Sequence, residues 1–287
     1  MNVAGVKAVV SISSHVMRGA VGNRIITPAI AAFGMRVWDV PTVVLPWHPG
    51  HGPSTRLTFE DGSFSAALED LRQAKQRGEI TAVLTGYFAS AEQVFAAGRL
   101  IEALKAENPD LIYLCDPVIG DKGGLYVAGA IAEAIHDRLL PLASIATPNR
   151  FELRWLSDMA TEDNGQIAAA VASLALPEAV VTSAHGMLDH AIANIHIARN
   201  SATLAEHREL SGVPNGLGDL LSALFLARRL AGESGSEALV PAAASVFQAA
   251  LRAVERGEDE LTVESEPSIF RAPVARVESR KLLLGRR

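Results

Sequence analysis

Along most of the chain, short apolar runs alternate with longer stretches whose apolar positions recur every three to four residues. The short runs at 8–12, 37–45, 80–85, 111–114, 144–146, 179–182 and 191–198 read as strands. Helical patterns lie between them at 23–33, 65–77, 91–107, 127–139, 150–157 and 162–174, with two more at 219–230 and 238–256. Several early strands are apolar at consecutive positions, as a strand covered on both faces must be. Strand and helix alternating at this spacing predict a mostly parallel sheet in a layered α/β domain.

Residues 46–55, Pro-Trp-His-Pro-Gly-His-Gly-Pro-Ser-Thr, break the rhythm. They have no periodicity and many turn formers, so they read either as a surface loop or as a flap over a site. No repeat, low-complexity segment or linker divides the chain, which predicts one domain over 1–287 with a flap at about 46–56.

Composition narrows the function. With 49% apolar and 20% charged residues the chain is globular, and a net charge of −6 offers no footprint for nucleic acid. The one basic cluster, 276–287, reads as a solvated tail. A single cysteine, Cys115, excludes an intrachain disulfide and fits the cytoplasm. The segment after Lys7, Ala-Val-Val-Ser-Ile-Ser-Ser, reads as a first strand rather than a signal peptide. No apolar run is expected to reach the roughly 18 residues that cross a bilayer, so no membrane partner is expected.

In parallel sheets, ligands gather beyond the carboxyl ends of strands, and five segments fall there. Pro214-Asn215-Gly216-Leu217-Gly218-Asp219 precedes a helix, whose free N–H groups and dipole favour an anion. Asp219 there is either a helix N-cap or a carboxylate facing a substrate hydroxyl. Asp116, after an apolar strand and before Pro117, either caps a turn or holds a hydrated Mg²⁺. Asn149 with Glu152 three residues later spells a capping box, and Glu152 is also a second candidate for the metal's water shell. Thr182 and Ser183 end a strand with two hydroxyls that can bind phosphate, and Ser11 to Asn23 forms a serine-rich turn opening into a helix. No P-loop, dinucleotide fingerprint, zinc spacing or G-x-S-x-G elbow is present.

In this order, the blocks resemble the pyridoxal kinases of the ribokinase-like superfamily. Ser14-His15-Val16-Met17-Arg18-Gly19-Ala20-Val21-Gly22-Asn23 is similar to S-H-V-x-x-G-x-x-G-N, and Thr42-Val43 with His48 and Gly50 to the flap motif. Thr85-Gly86-Tyr87, Asp116 to Gly120, Thr147 to Leu153, Val181-Thr182-Ser183 and Asn215 to Asp219 follow in register. The resemblance implies a three-layer α/β/α fold and ATP-dependent phosphorylation of the 5′-hydroxyl of pyridoxal or another B6 vitamer. It implies Asp219 as base with Gly216 and Gly218 in the anion hole, and Ser14, Thr42, His48 and Tyr87 around the vitamer. Asn149, Glu152, Thr182, Ser183 and Leu217 would bind ATP, and Asp116 and Glu152 would organise Mg²⁺. K⁺ is a further candidate cofactor, and a cytoplasmic homodimer is implied. Leu217 stands where many relatives carry threonine, Leu45-Pro46-Trp47 replaces F-S-N, and His51 replaces a common tyrosine. These departures bear on vitamer preference and flap closure. A hydroxymethylpyrimidine or sugar acceptor, or a non-catalytic vitamer binder, are the alternatives.

Overall fold

The computed structural model describes residues 7–199, 201–263 and 266–282. Its elements are β1 (Ala8–Val16), α1 (Asn23–Ala31), β2 (Arg36–Leu45), β3 (Leu57–Thr58), α2 (Asp61–Gln73), β4 (Ile80–Thr85) and α3 (Ala91–Glu107). Then come β5 (Ile112–Cys115), β6 (Gly120–Asp121), β7 (Gly124–Leu125), α4 (Gly129–Ala134), β8 (Ile145–Ala146), α5 (Arg150–Ser157) and α6 (Asn164–Ser173). The chain closes with β9 (Glu178–His185), β10 (Ala191–Ala198), β11 (Ser201–Arg208), α7 (Leu217–Leu230), α8 (Gly235–Arg256) and β12 (Glu278–Leu282). Ten strands form one sheet in the order β12-β11-β10-β9-β8-β5-β4-β1-β2-β3. The run from β9 through β2 is parallel, and β3, β10, β11 and β12 are antiparallel additions.

Consecutive apolar residues in the strands serve two cores. Val9 of β1, Leu84 of β4 and Leu114 of β5 pack with α1, α7 and α8 on one face. Val10, Ile12, Val83 and Tyr113 pack with α2 and α3 on the other. This is the layered, mostly parallel α/β architecture that the strand pattern predicts, with helices on both faces.

Three expectations change. Residues 278–282 belong to an edge strand rather than a solvated tail, and 283–287 lie outside the described residues. The strand forms because Glu206, fully buried on β11, takes a hydrogen bond from Arg280 at 2.9 Å. α8, at 22 residues, is by length and composition long and apolar enough to cross a membrane, contrary to expectation. Most of its apolar window is buried, however, with Leu239, Ala243 and Val246 packed into the α1/α7 core. Finally, β3, β6, β7, β11 and β12 escaped the apolar pattern, because the first three are two-residue strands and the last two lie toward the sheet's rim.

The chain runs from β1 to β2 on one side and returns to β4 on the other, so a topological switch opens at the carboxyl ends of β1 and β4. Ser14 ends one side of this crevice and Tyr87 follows the other.

Because Leu114 is fully buried between the layers, Leu114→Ala should lower unfolding free energy by about 2–5 kcal/mol in denaturant titration. A loss below about 1 kcal/mol would contradict the two-sided packing.

Candidate active site

The chain enters α7 through Gly216, which has φ +94°. A Cβ at this position would overlap the Ala20 carbonyl, so glycine alone lets the helix mouth sit against the turn before α1. One turn position on, a Cβ at Gly218 would meet nothing within 4 Å. The α7 N-terminus is therefore sealed on the Gly216 side and open on the Gly218 side, where its free N–H groups can face an anion.

Asp219 is not the cap of its own helix. Gly216 occupies that position, and the Asp219 carboxylate instead accepts the Gly22 N–H at 2.9 Å. Gly22, at φ +56°, lies so close to Ser14 that a Cβ would strike the Ser14 carbonyl. A chain of close approaches thus runs from Ser14 through Gly22 to Asp219. Burial pushes the Asp219 carboxyl up to about 6, opposed by the Gly22 amide. It is still ionised at neutral pH, but its proton affinity suits a base better than an ordinary carboxylate's does.

Asp116, only 7% exposed, is anchored to α7 as well: its Oδ2 accepts the Ser222 hydroxyl at 2.8 Å, and Thr147 Oγ1 lies 2.8 Å from the same hydroxyl. It does not cap the next segment. Pro117 leads into Val118, a β-branched residue at φ +46°, a strained conformation that its surroundings must impose. The constraint is Glu152. Its Oε1 accepts the Ile119 N–H at 2.8 Å and the Gly120 N–H at 3.4 Å, and its Oε2 accepts the Asn149 N–H at 2.8 Å. The Asn149–Glu152 capping box is present as the spacing indicated. With both oxygens occupied by amides, Glu152 shapes the Asp116 turn rather than offering itself as a direct metal ligand.

Electrostatics join these groups. Burial raises Asp116 far above the usual carboxylate range, and the charges of Glu152 and Asp219 add to it. Burial raises Glu152 likewise, against its three amide hydrogen bonds. Tyr126, just after β7, has its hydroxyl pushed upward by burial and then by Glu152, Asp116 and Asp219. Crowded acidic groups of this kind favour a cation. Among the described residues no three His, Cys, Asp or Glu side chains converge on one point. A divalent ion here would complete its shell with water and phosphate oxygens, a habit that suits Mg²⁺.

Asn149 spends its side chain internally, accepting the Glu152 N–H at 2.9 Å and donating to the Gly120 carbonyl at 2.8 Å. Thr182 and Ser183 face Asn194 alone where the β9–β10 register shifts, forming a bulge that re-aims side chains. Ser183 has φ +53° and is exposed.

On the other side of the crevice, β2 bulges at Thr42 and Val43 opposite Ser14. Thr42 is fully buried, its hydroxyl donating to the Tyr87 carbonyl at 2.7 Å and its carbonyl accepting from Gln93 at 2.9 Å. Thr42 therefore positions Tyr87. The Tyr87 hydroxyl is 2.6 Å from Arg56, whose guanidinium lies 5.8 Å from the ring centroid. His48 Nδ1 accepts the Gly50 N–H at 3.1 Å, and burial lowers its proton affinity. A Cβ on Gly50 would touch both His48 and the Asn215 amide, which brings the 46–56 loop against the α7 mouth. Gly22, Ser222, Tyr126 and Arg56 were not assigned roles from sequence. Only Gly22 carried a signal, as part of the front block.

A family profile described as phosphomethylpyrimidine kinase matches residues 66–264. The pyridoxine/pyridoxal/pyridoxamine kinase of Bordetella pertussis is 38% identical, covering 88% of this chain and 92% of the relative. The pyridoxal kinase PdxY of Granulibacter bethesdensis is 33% identical over 92% of this chain and 96% of its own. Among solved structures, pyridoxal kinase from Leishmania donovani in complex with ADP and pyridoxamine superposes with a TM-score of 0.90 at 26% identity, covering 96% and 99% of the two chains. Pyridoxal kinase from Entamoeba histolytica, at 22% identity and a TM-score of 0.88 over 97% and 100%, shares the fold.

The two glycines of the α7 mouth should separate in stability. Gly216→Ala, forced into a left-handed conformation against Ala20, should lower unfolding free energy by about 1–3 kcal/mol. Gly218→Ala should stay within about 0.5 kcal/mol of the parent. Equal losses in thermal unfolding would contradict the sealed and open sides assigned here.

Proposed function

The chain belongs to the pyridoxal kinase family, and we propose on that premise that it transfers the γ-phosphoryl group of ATP to the 5′-hydroxyl of a vitamin B6 vitamer. The observation that carries this reading is Asp219: a raised carboxylate held by the Gly22 amide at the open mouth of α7. Asp219 accepts the proton of the attacking hydroxyl as the new O–P bond forms. The N–H groups of the Gly216–Asp219 turn stabilise charge growing on the transferred phosphoryl oxygens. Little covalent help is needed, since phosphoryl transfer depends mainly on alignment and charge neutralisation.

Ser14 and Tyr87, on the two lips of the crevice, hold the vitamer ring, with Thr42 fixing Tyr87 and His48 closing from the loop. Thr182 and Ser183 bind nucleotide phosphates, and Leu217 lines the same cleft without the hydroxyl that a threonine would add. Asn149 contributes by shaping the nucleotide side through Gly120 and Glu152. The crowded carboxylates support Mg²⁺ held through Asp116 and water, with Glu152 behind the turn that presents it. Bound there, Mg²⁺ would neutralise phosphate charge. K⁺ and a homodimer rest on family resemblance alone, and a cytoplasmic location on the single cysteine, Cys115. The matching family profile is described as phosphomethylpyrimidine kinase, which favours a substituted pyrimidine such as hydroxymethylpyrimidine as the second acceptor to compare.

Asp219→Ala should lower kcat by roughly 10²-fold or more, the scale of a general base, while ATP still binds. Because the base form is required and burial raises the Asp219 carboxyl to about 6, activity in the parent should fall as pH drops through about 6 and level off above it. Asp219→Asn should remove that acid limb from whatever activity remains. Near-normal turnover in Asp219→Ala, or an unchanged acid limb in Asp219→Asn, would overturn the assignment.

A further inference from the structure

Glu260 lies in the segment after α8, is 6% exposed, and has no part in the chemistry described above. Its carboxylate rests against the turn before α1: a Cβ on Gly19, which has φ +100°, would overlap it. His51 Nε2, at the tip of the 46–56 loop, stands 2.8 Å from Glu260 Oε1, and Arg18 is 3.6 Å from the same oxygen. Among the described residues neither carboxylate oxygen receives a well-aligned hydrogen bond, so the His51 and Arg18 approaches are charge contacts rather than aligned hydrogen bonds. A buried carboxylate so placed depends on the two side chains that face it, His51 and Arg18.

The neighbouring contacts differ in weight. Arg18 makes a two-pronged pair with Asp259 at 2.8 Å, but the two side chains are 55% and 61% exposed, and such pairs contribute little. His51 and Glu260 meet where Glu260 is shut away from solvent, so theirs is the stronger joint. The loop that carries His51 touches both the turn after β1 and the α7 mouth. The Met17 and Arg18 amides donate to the Leu45 and Pro46 carbonyls at the base of the loop, and Gly50 abuts Asn215 at the α7 mouth. Within the loop, Trp47 Nε1 donates to the Gly52 carbonyl at 3.2 Å and His48 accepts from Gly50, which ties the tip together around His51.

We propose that Glu260 is a positioning residue: its buried carboxylate clasps His51 and thereby holds the 46–56 loop closed over the acceptor pocket. His51, one of the departures from the flap motif, then has a defined task in this chain. The proposal rests on the reading that this loop covers the vitamer. One arm of its test is therefore independent of catalysis.

Trp47 reports the loop directly. Acrylamide quenching of Trp47 in the unliganded protein, taken as the difference between each protein and its Trp47→Phe counterpart, should increase in His51→Phe and in Glu260→Gln. Both variants should also raise KM for pyridoxal about 10-fold, the scale of losing one close contact to a buried carboxylate, with kcat within about threefold of the parent. His51→Gln, which keeps a donor, should recover most of both effects. Unchanged quenching and KM in His51→Phe would overturn the clasp. So would loss of kcat and stability in Glu260→Gln with His51→Phe unaffected, since Glu260 would then support only the fold. If no vitamer is phosphorylated at all, the kinase reading fails while the quenching arm still decides the clasp.

Discussion

A single hydrogen bond, from the Gly22 amide to the Asp219 carboxylate, joins two parts of the chain 197 residues apart in sequence. It exists only because two glycines permit close approach: Gly22 against Ser14 and Gly216 against Ala20. With side chains at either position, the mouth of α7 would stand off from the carboxyl end of β1, and Asp219 would be separated from the crevice. The rest of the site is arranged around this joint. Ser222, one helical turn after Asp219, holds Asp116 and reaches Thr147, so α7 also aligns the acidic side of the cleft.

That acidic side stores electrostatic cost. Asp116, Glu152 and Asp219 lie in one poorly solvated region, and burial raises all three. Glu152 is stabilised by three backbone amides and in return holds Val118 in a conformation few β-branched residues adopt. Among the described residues Asp116 has one side-chain donor, the Ser222 hydroxyl, and it is the group whose charge a cation would relieve most. Local repulsion without a cation, and relief with one, is a simple physical basis for dependence on a divalent ion.

Much of this was legible in the sequence, and the exceptions have physical reasons. Strands such as Ala8–Val16 and Ile80–Thr85 announced themselves because both faces are buried, whereas Glu278–Leu282 reads as a polar tail until the buried Glu206 on its neighbour is seen. The capping box at Asn149 and Glu152 was readable from spacing, but not the reach of Glu152 to Ile119. For Asp219, the structure sets aside the helix-cap reading, since Gly216 holds that position and Asp219 accepts the Gly22 amide, and no local pattern contains that contact. Tyr126 and Arg56 are exposed residues outside the predicted strands and helices, where nothing in the local pattern marks a side chain as belonging to the site. Family resemblance supplied the order of the blocks, and the structure adds how they touch.

The Leu217 and flap departures leave the acceptor as the point on which the functional reading turns. The most direct measurement is ADP release by the purified chain with ATP and Mg²⁺, offered pyridoxal, pyridoxine, pyridoxamine or hydroxymethylpyrimidine, with the phosphorylated product identified by mass. The expected result is one 5′-phosphorylated B6 vitamer per ADP, turnover favouring a vitamer over hydroxymethylpyrimidine, and loss of turnover when Mg²⁺ is chelated. ADP release without a phosphorylated vitamer, or preferential phosphorylation of hydroxymethylpyrimidine, would contradict it.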